Sequence, residues 1–238
     1  MRRGRAQSQR RWGDRMGDRL AARRVVVTCA KDFMGPAVAE MFREEGAEVI
    51  ADTRDLRPAG AAPALIEEAG RVDVLIANLI APDPRIILEQ DTTEELWQIM
   101  FETMVHPLYR LVHAVLPQMR ERRSGKIVVM GSANALRGTN NRSAYSAARG
   151  AQVSYVRSVG VELAPWNVHI NLMAQFFVEN PTSVPGGKLA DMASRLPEIP
   201  VGRIAKGRES AQFALFLAGP ESDFFVGQTI PFAGGWVA

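Results

Sequence analysis

The chain reads as an α/β protein: a single domain built on a doubly wound, parallel sheet of six strands with helices on both faces. Short β-branched runs alternate with longer helical patterns, the βαβ rhythm of a parallel sheet covered on both sides. A length of 238 residues with 47% hydrophobic content is enough for one large core. Nothing repeats, and no low-complexity linker divides the chain.

In order, Val25 to Thr28 is the first strand and runs into a tight turn ending at Gly35. Pro36 suits the first turn of the helix that follows, because its missing donor would be unpaired there anyway. That helix extends to Glu45, with Gly46 as its stop. Glu48 to Asp52 is the second strand, Ala61 to Ala69 a brief helix, and Val72 to Ala77 the third strand. Thr92 to Arg120 is expected to be one long helix kinked at Pro107. Lys126 to Met130 is a strand that delivers Ser132, Ser143 to Leu163 a helix ended by Pro165, and Val168 to Met173 another strand. Leu189 to Leu196 and Ser210 to Ala218 look helical, and Gln228 to Phe232 closes the sheet. Trp97, Phe101, Leu108, Leu111 and Val115 form an apolar stripe that is either core or subunit contact.

Three polar residues carry the chemistry. Tyr145 and Arg149 stand four apart on one helix, which puts them on one face a turn from each other, and Ser132 lies thirteen residues before Tyr145. A phenol with an ordinary pKa of about 10 is a poor base near neutrality, and a nearby cation lowers it by stabilising the phenolate. Arginine is never deprotonated, so it supplies a permanent charge. A serine hydroxyl donates or accepts, and can set a substrate oxygen against the tyrosine.

The Ser132 and Tyr145 spacing is that of the short-chain dehydrogenase/reductases, in which a lysine follows the tyrosine by one helical turn. Here Arg149 takes that place. Their first turn, Thr-Gly-x-x-x-Gly-x-Gly, would demand glycine at 29 and 33, where this chain has Cys29 and Phe33. A pyrophosphate needs the close backbone approach that glycine allows, and glycine reaches positive φ at little cost. The turn is therefore expected to be filled in and to bind no cofactor. Asp52, at the end of the second strand, is open to two readings, a ribose ligand or a turn and capping residue. The interval Thr53 to Arg71 is too short for the additional helix and strand that a dehydrogenase would insert, and Met104 falls where such enzymes keep an asparagine that holds a relay water.

The chain resembles the halohydrin dehalogenases, which look like short-chain dehydrogenases that have lost their cofactor. Their marks, a Ser/Tyr/Arg set and a first turn of Thr, four residues, an aromatic, one residue and Gly, are both present as Ser132/Tyr145/Arg149 and Thr28/Phe33/Gly35. The resemblance covers residues 20 to 238, including Val72-Asp73-Val74-Leu75-Ile76-Ala77-Asn78 and the closing Gly234-Gly235-Trp236. It implies a Rossmann-like fold, a homotetramer, and catalysis by Ser132, Tyr145 and Arg149 without cofactor or metal. Vicinal haloalcohols would close to epoxides with release of halide, and epoxides would be opened by azide, cyanide or nitrite. The implied halide site is the loop Gln175, Phe176, Phe177 and Val178, faced by Phe33; each aromatic could equally be core. Some members place an Asp after the central strand's Asn to steady the arginine, and here that position is Leu79. Two other readings stay open, a nicotinamide-dependent reductase with an atypical arginine and a non-catalytic relative.

The net charge of +3 is an average over unlike parts. Residues 1 to 24 hold nine arginines against Asp14 and Asp18, so the remainder of the chain is net acidic. Residues 1 to 19 are expected to be a disordered basic extension, which a start codon placed too early would explain since Met16 precedes the family-like segment; nucleic-acid binding and organelle import are the other readings. Cys29 is the one cysteine, which excludes an internal disulfide framework and fits a reducing cytoplasm; it reads as a buried small hydrophobe. No apolar run approaches the ~18 residues of a spanning helix. His106 and His169 read as packing residues, since no clustered Cys, His and carboxylate set suggests a metal. Asn141-Arg142-Ser143 matches a glycosylation sequon, which has no meaning without a secretory route.

Overall fold

The aliphatic runs Val25-Val26-Val27, Val74-Leu75-Ile76 and Ile127-Val128-Val129 are buried on both faces, as central parallel strands must be. The structure, a computed structural model, describes residues 17–81, 88–180 and 196–237. Six parallel strands, β1 (Arg24–Val27), β2 (Glu48–Ala51), β3 (Val74–Asn78), β4 (Gly125–Ser132), β5 (Val168–Gln175) and β6 (Thr229–Phe232), form one sheet in the order β2-β1-β3-β4-β5-β6. Among the described residues the α-helices are α1 (Gly35–Glu44), α2 (Ala61–Ala69), α3 (Glu94–Met104), α4 (His106–Arg122), α5 (Ser143–Leu163) and α6 (Gly207–Ala218).

The fold is thus Rossmann-like, as expected. Its strand order turns back on itself between β1 and β3. In such sheets the crevice for a ligand lies beyond the carboxyl ends of the strands at this reversal, and the ends here are Thr28 and Asn78. On one face of the sheet Leu65, Leu111, Val115 and Val156 of α2, α4 and α5 form the core. On the other, Val38, Phe42, Ala214 and Leu215 of α1 and α6 do so.

Most element ends agree with the sequence reading to within two or three residues. The long helix does not. Its two halves are separate helices joined at Val105, which keeps right-handed helical φ and ψ of −98° and −55° while the hydrogen-bond ladder breaks after it, and Pro107 lies in the first turn of α4. A proline lacks the N–H that would continue the ladder back to Thr103, so it starts a helix where a kink was expected. Thr93 caps α3, its side chain accepting from the Leu96 N–H at 3.2 Å. Leu108, Leu111 and Val115 are core, whereas Trp97, Tyr109 and Val161 keep large exposed apolar surfaces. The helix expected over Leu189 to Leu196 lies outside the described residues except for Leu196, which opens a short 3-10 turn. The basic extension lies outside them as far as residue 16.

Candidate functional site

The first turn is held from below. Thr28 Oγ1 donates to the Asn78 carbonyl at 3.1 Å, and Asn78 Nδ2 donates to the carbonyls of Cys29 and Asp32, each at 3.0 Å. Cys29 and Phe33 both adopt left-handed backbone, φ of 44° and 49°, the conformation for which glycine is the default. Gly35 is confined by contact: a Cβ there would lie 2.5 Å from the Cys29 carbonyl oxygen and 2.6 Å from Ala30 Cα. The turn therefore keeps its glycine shape and carries two side chains. Phe33 packs against the cluster that contains Met34, Met173 and Val178. Burial, with Asp32 and Asp52 nearby, pushes the partly buried Cys29 thiol up to about 11.

Asp52 belongs to a turn. Its Oδ1 accepts from Arg54 Nε at 2.6 Å and its Oδ2 from the Arg54 backbone N–H at 3.3 Å, while Arg54 also forks onto Glu68. Both carboxylate oxygens are engaged, the arrangement that the turn and capping reading of this residue expects.

Ser132, Tyr145 and Arg149 meet at the carboxyl end of β4. Arg149 is 2% exposed and donates to four acceptors: Tyr145 Oη at 3.1 Å through Nε, the Met130 carbonyl at 3.1 Å and Gln152 Oε1 at 3.0 Å through Nη1, and the Leu79 carbonyl at 2.9 Å through Nη2. Burial disfavours a charged Tyr145, yet the Arg149 charge, hydrogen bonds from Ser132 and Arg149, and the more distant Arg142 outweigh it and hold the phenol below its ordinary value. Ser132 Oγ accepts from the Asn134 N–H at 3.3 Å, which leaves its proton for Tyr145 or a substrate oxygen. The apolar wall beside Tyr145 comes from Met100, Met104, Phe101 and Ala148.

The loop after β5 is divided between two surroundings. Register places Gln175 between Ser132 of β4 and Phe232 of β6. Its Oε1 accepts from Ser210 Oγ at 2.5 Å, and its buried Nε2 has no partner among the described residues. Val178 shares the Phe33 cluster, and its N–H finds no acceptor among the described residues. Phe176 lies flat on Trp236, with ring centres 4.0 Å apart and planes 5° apart, and Phe177 stacks on Phe176 at 4.2 Å. These two aromatics form a separate cluster with Ile199 and Ala233, beside a cavity of about 190 Å³. The structure places Phe33 and Val178 in one cluster and gathers Phe176 and Phe177 around Trp236.

Sequence reasoning missed Gln152. It is fully buried, accepts from Arg149 and donates through Nε2 to the Met104 carbonyl at 2.7 Å. Its signal was there: a polar residue three after Arg149, on the buried face of the same helix. With Leu79 apolar, Gln152 and two backbone carbonyls orient the arginine. His169 is buried in β5 with Nδ1 4.0 Å from Asp223, its imidazole shifted down by burial and by Lys126. His106 is exposed at the start of α4. Among the described residues no Cys, His, Asp and Glu group could hold a metal, and no helix is long and apolar enough to cross a membrane.

Residues 53–237 match the family model described as enoyl-(acyl carrier protein) reductase. The 3-oxoacyl-(acyl-carrier-protein) reductase of Vibrio harveyi is 28% identical over 89% of this chain and 86% of its own. A solved structure titled "Dehalogenation enzyme" is 28% identical, with a TM-score of 0.84, over 92% of this chain and 100% of that one. A 3-oxoacyl-(acyl-carrier protein) reductase from Brucella melitensis reaches the same TM-score of 0.84 at 23% identity, over 92% and 93%, which is a likeness of fold.

Proposed function

The chain belongs to the enoyl-(acyl carrier protein) reductase family of short-chain dehydrogenase/reductases, and from that premise we propose that it works without nucleotide, as a halohydrin dehalogenase. The observation that carries this reading is the commitment of Arg149: four of its N–H groups are spent inside the protein, one of them on Tyr145. It tunes the phenol, as a lysine would, but is not placed to hold a ribose. The first turn agrees. Cys29 and Phe33 put side chains where a pyrophosphate needs bare backbone, and Asp52 has both oxygens on Arg54. These residues do not fit a nicotinamide dinucleotide. The solved dehalogenation enzyme, at 28% identity over the whole of its length, adds weight.

In this reading Tyr145, as phenolate, takes the hydroxyl proton of a vicinal haloalcohol while Ser132 donates to the same oxygen. The oxygen attacks the neighbouring carbon from behind, a C–O bond forms, and the carbon–halogen pair leaves with the halide. The phenol then returns its proton to solvent. The departing anion needs donors in an apolar setting, and two that have no acceptor among the described residues, the Val178 N–H and Gln175 Nε2, belong to the segment that ends in the Phe33 cluster. Residues 20–238 would form the catalytic domain, and Trp97, Tyr109 and Val161 would be covered in a homotetramer.

The names of the curated relatives favour a second reading, a reductase, and one pair of measurements separates the two. Halide release from 1,3-dichloro-2-propanol should proceed with no added nucleotide and fall to near background in Tyr145→Phe and Ser132→Ala. Calorimetry should detect no binding of NAD(H) or NADP(H). Micromolar nucleotide binding, or near-wild-type turnover in either variant, rejects the dehalogenase reading.

A further inference from the structure

We propose that Gln152 is a positioning residue: it fixes the roll of the Arg149 guanidinium so that Nε meets the Tyr145 phenol, and it ties that orientation to the break between α3 and α4. The inference rests on the roles given above to Tyr145 and Arg149, but not on the identity of the substrate.

The geometry is a relay of contacts. Pro107 ends the α3 ladder at Val105, and the Met104 carbonyl at this break receives Gln152 Nε2 at 2.7 Å. That bond fixes which end of the amide faces Arg149, so Oε1 is the acceptor presented to Nη1 at 3.0 Å. A planar guanidinium gripped on Nη1 and Nη2 has no freedom to rotate, and Nε is left on Tyr145 Oη at 3.1 Å. Gln152 is fully buried, so no water can replace it without rearrangement. An amide suits the task because it accepts from the cation while leaving its charge intact. A carboxylate at 152 would hold the arginine equally well and cancel part of its field at the phenol.

Among the described residues the charges acting on Tyr145 are few. Arg149 is the strongest, Arg142 at the start of the same helix is weaker, Ser132 from β4 is neutral, and α3 contributes Met100, Phe101 and Met104. The ionisation of Tyr145 is accordingly a direct gauge of how Arg149 sits.

The test is a tyrosinate absorbance titration, with the Tyr145→Phe spectrum subtracted to remove Tyr109 and Tyr155, the latter pushed up to about 12 by burial. No substrate is needed. Gln152→Leu should raise the Tyr145 midpoint by about half a unit to one unit, and Gln152→Glu should raise it further because of the added negative charge. If either chain fails to fold, Gln152→Met, unbranched and of similar length, takes the place of the leucine variant. In haloalcohol turnover the leucine or methionine variant should lose about tenfold in kcat with KM within about threefold, the pattern of a lost transition-state interaction. A role confined to bracing the helix break would lower thermal stability in these variants and leave the titration where it is. A folded variant whose midpoint stays within about 0.2 unit of the wild type overturns the proposal. Shifted midpoints in a protein that releases no halide would reject the dehalogenase reading and leave the positioning role standing; halide release with unshifted midpoints would do the reverse.

Discussion

Replacing Arg149 with lysine keeps the charge and removes the geometry, and the structure sets the size of the effect. A lysine ammonium on a shorter reach cannot serve Tyr145 Oη, the carbonyls of Met130 and Leu79, and Gln152 Oε1 together. At least one buried acceptor is left unpaired, which costs about 1–3 kcal/mol of stability. In a chain of this length that is a fall in Tm of roughly 2–4 °C per kcal/mol. The electrostatic part acts on catalysis. With an effective dielectric of about 20, a cation withdrawn from about 4 Å to about 5.5 Å from the phenolate oxygen attracts it by about 3 instead of about 4 kcal/mol, close to 0.8 of a pKa unit. The Tyr145 phenol is held low in the wild type, so the rate of halide release should climb with pH through that midpoint, and Arg149→Lys should move the climb to higher pH. Below the wild-type midpoint the variant should be roughly sixfold slower from ionisation alone, with the gap narrowing once both phenols are ionised. The assay is a pH–rate profile of halide release, with calorimetric Tm on the same samples. An acid limb at the wild-type position, whatever the plateau rate, would refute Arg149 as the group that tunes Tyr145.

Other outcomes follow from the same structure. Ring opening of a terminal epoxide by azide should need no nucleotide, and chloride and bromide should compete with azide. If Gln175 Nε2 helps hold the anion, Gln175→Leu should weaken bromide inhibition by about tenfold, the worth of one hydrogen bond to a charged group, and unchanged inhibition constants would remove it from the anion site. Asp73 is 3% exposed; burial opposes its ionisation, but bonds from Arg71 and the Arg24 N–H hold its carboxyl below the usual range. Its contribution is therefore present at neutral pH and disappears as pH falls through the depressed value. Asp73→Asn should be less stable by about 1–3 kcal/mol in urea at pH 7 and indistinguishable from wild type once the native carboxylate is protonated, and a constant difference across pH would contradict the pairing. With its thiol at about 11, Cys29 should react with a disulfide reagent far more slowly at pH 8 than an ordinary free thiol, and a rate equal to that of free cysteine would show the site to be open.

The sheet and its helices were legible because hydrophobic period and turn residues are local, and the Ser132, Tyr145 and Arg149 spacing was legible because a helix face is a fixed function of residue number. The break at Val105 was not. Pro107 announced a disturbance, but whether a proline bends a helix or restarts it depends on what packs beneath, here the buried Met104 and Gln152. Asp52 was ambiguous for a similar reason, since its partner Arg54 is held in turn by Glu68 fourteen residues on. The four loop residues Gln175 to Val178 read as one site in sequence, but the strand ends at Gln175 and the chain beyond it is irregular: Phe176 and Phe177 both join Trp236, and Val178 joins the cluster against which Phe33 packs.

The left-handed Cys29 and Phe33 have a consequence for how such a pocket could be gained or lost. Each non-glycine residue in that conformation costs about 1–2 kcal/mol, while Phe33 recovers a comparable amount, about 1.5–3 kcal/mol if fully covered, by packing on the cluster that contains Met34 and Val178. At position 33 an open turn with glycine and a filled one with phenylalanine are then close in energy. The path between the two can be walked one substitution at a time through folded intermediates, so ancestry can pass from an open turn to a filled one, and a designer can pass back, without rebuilding the sheet beneath.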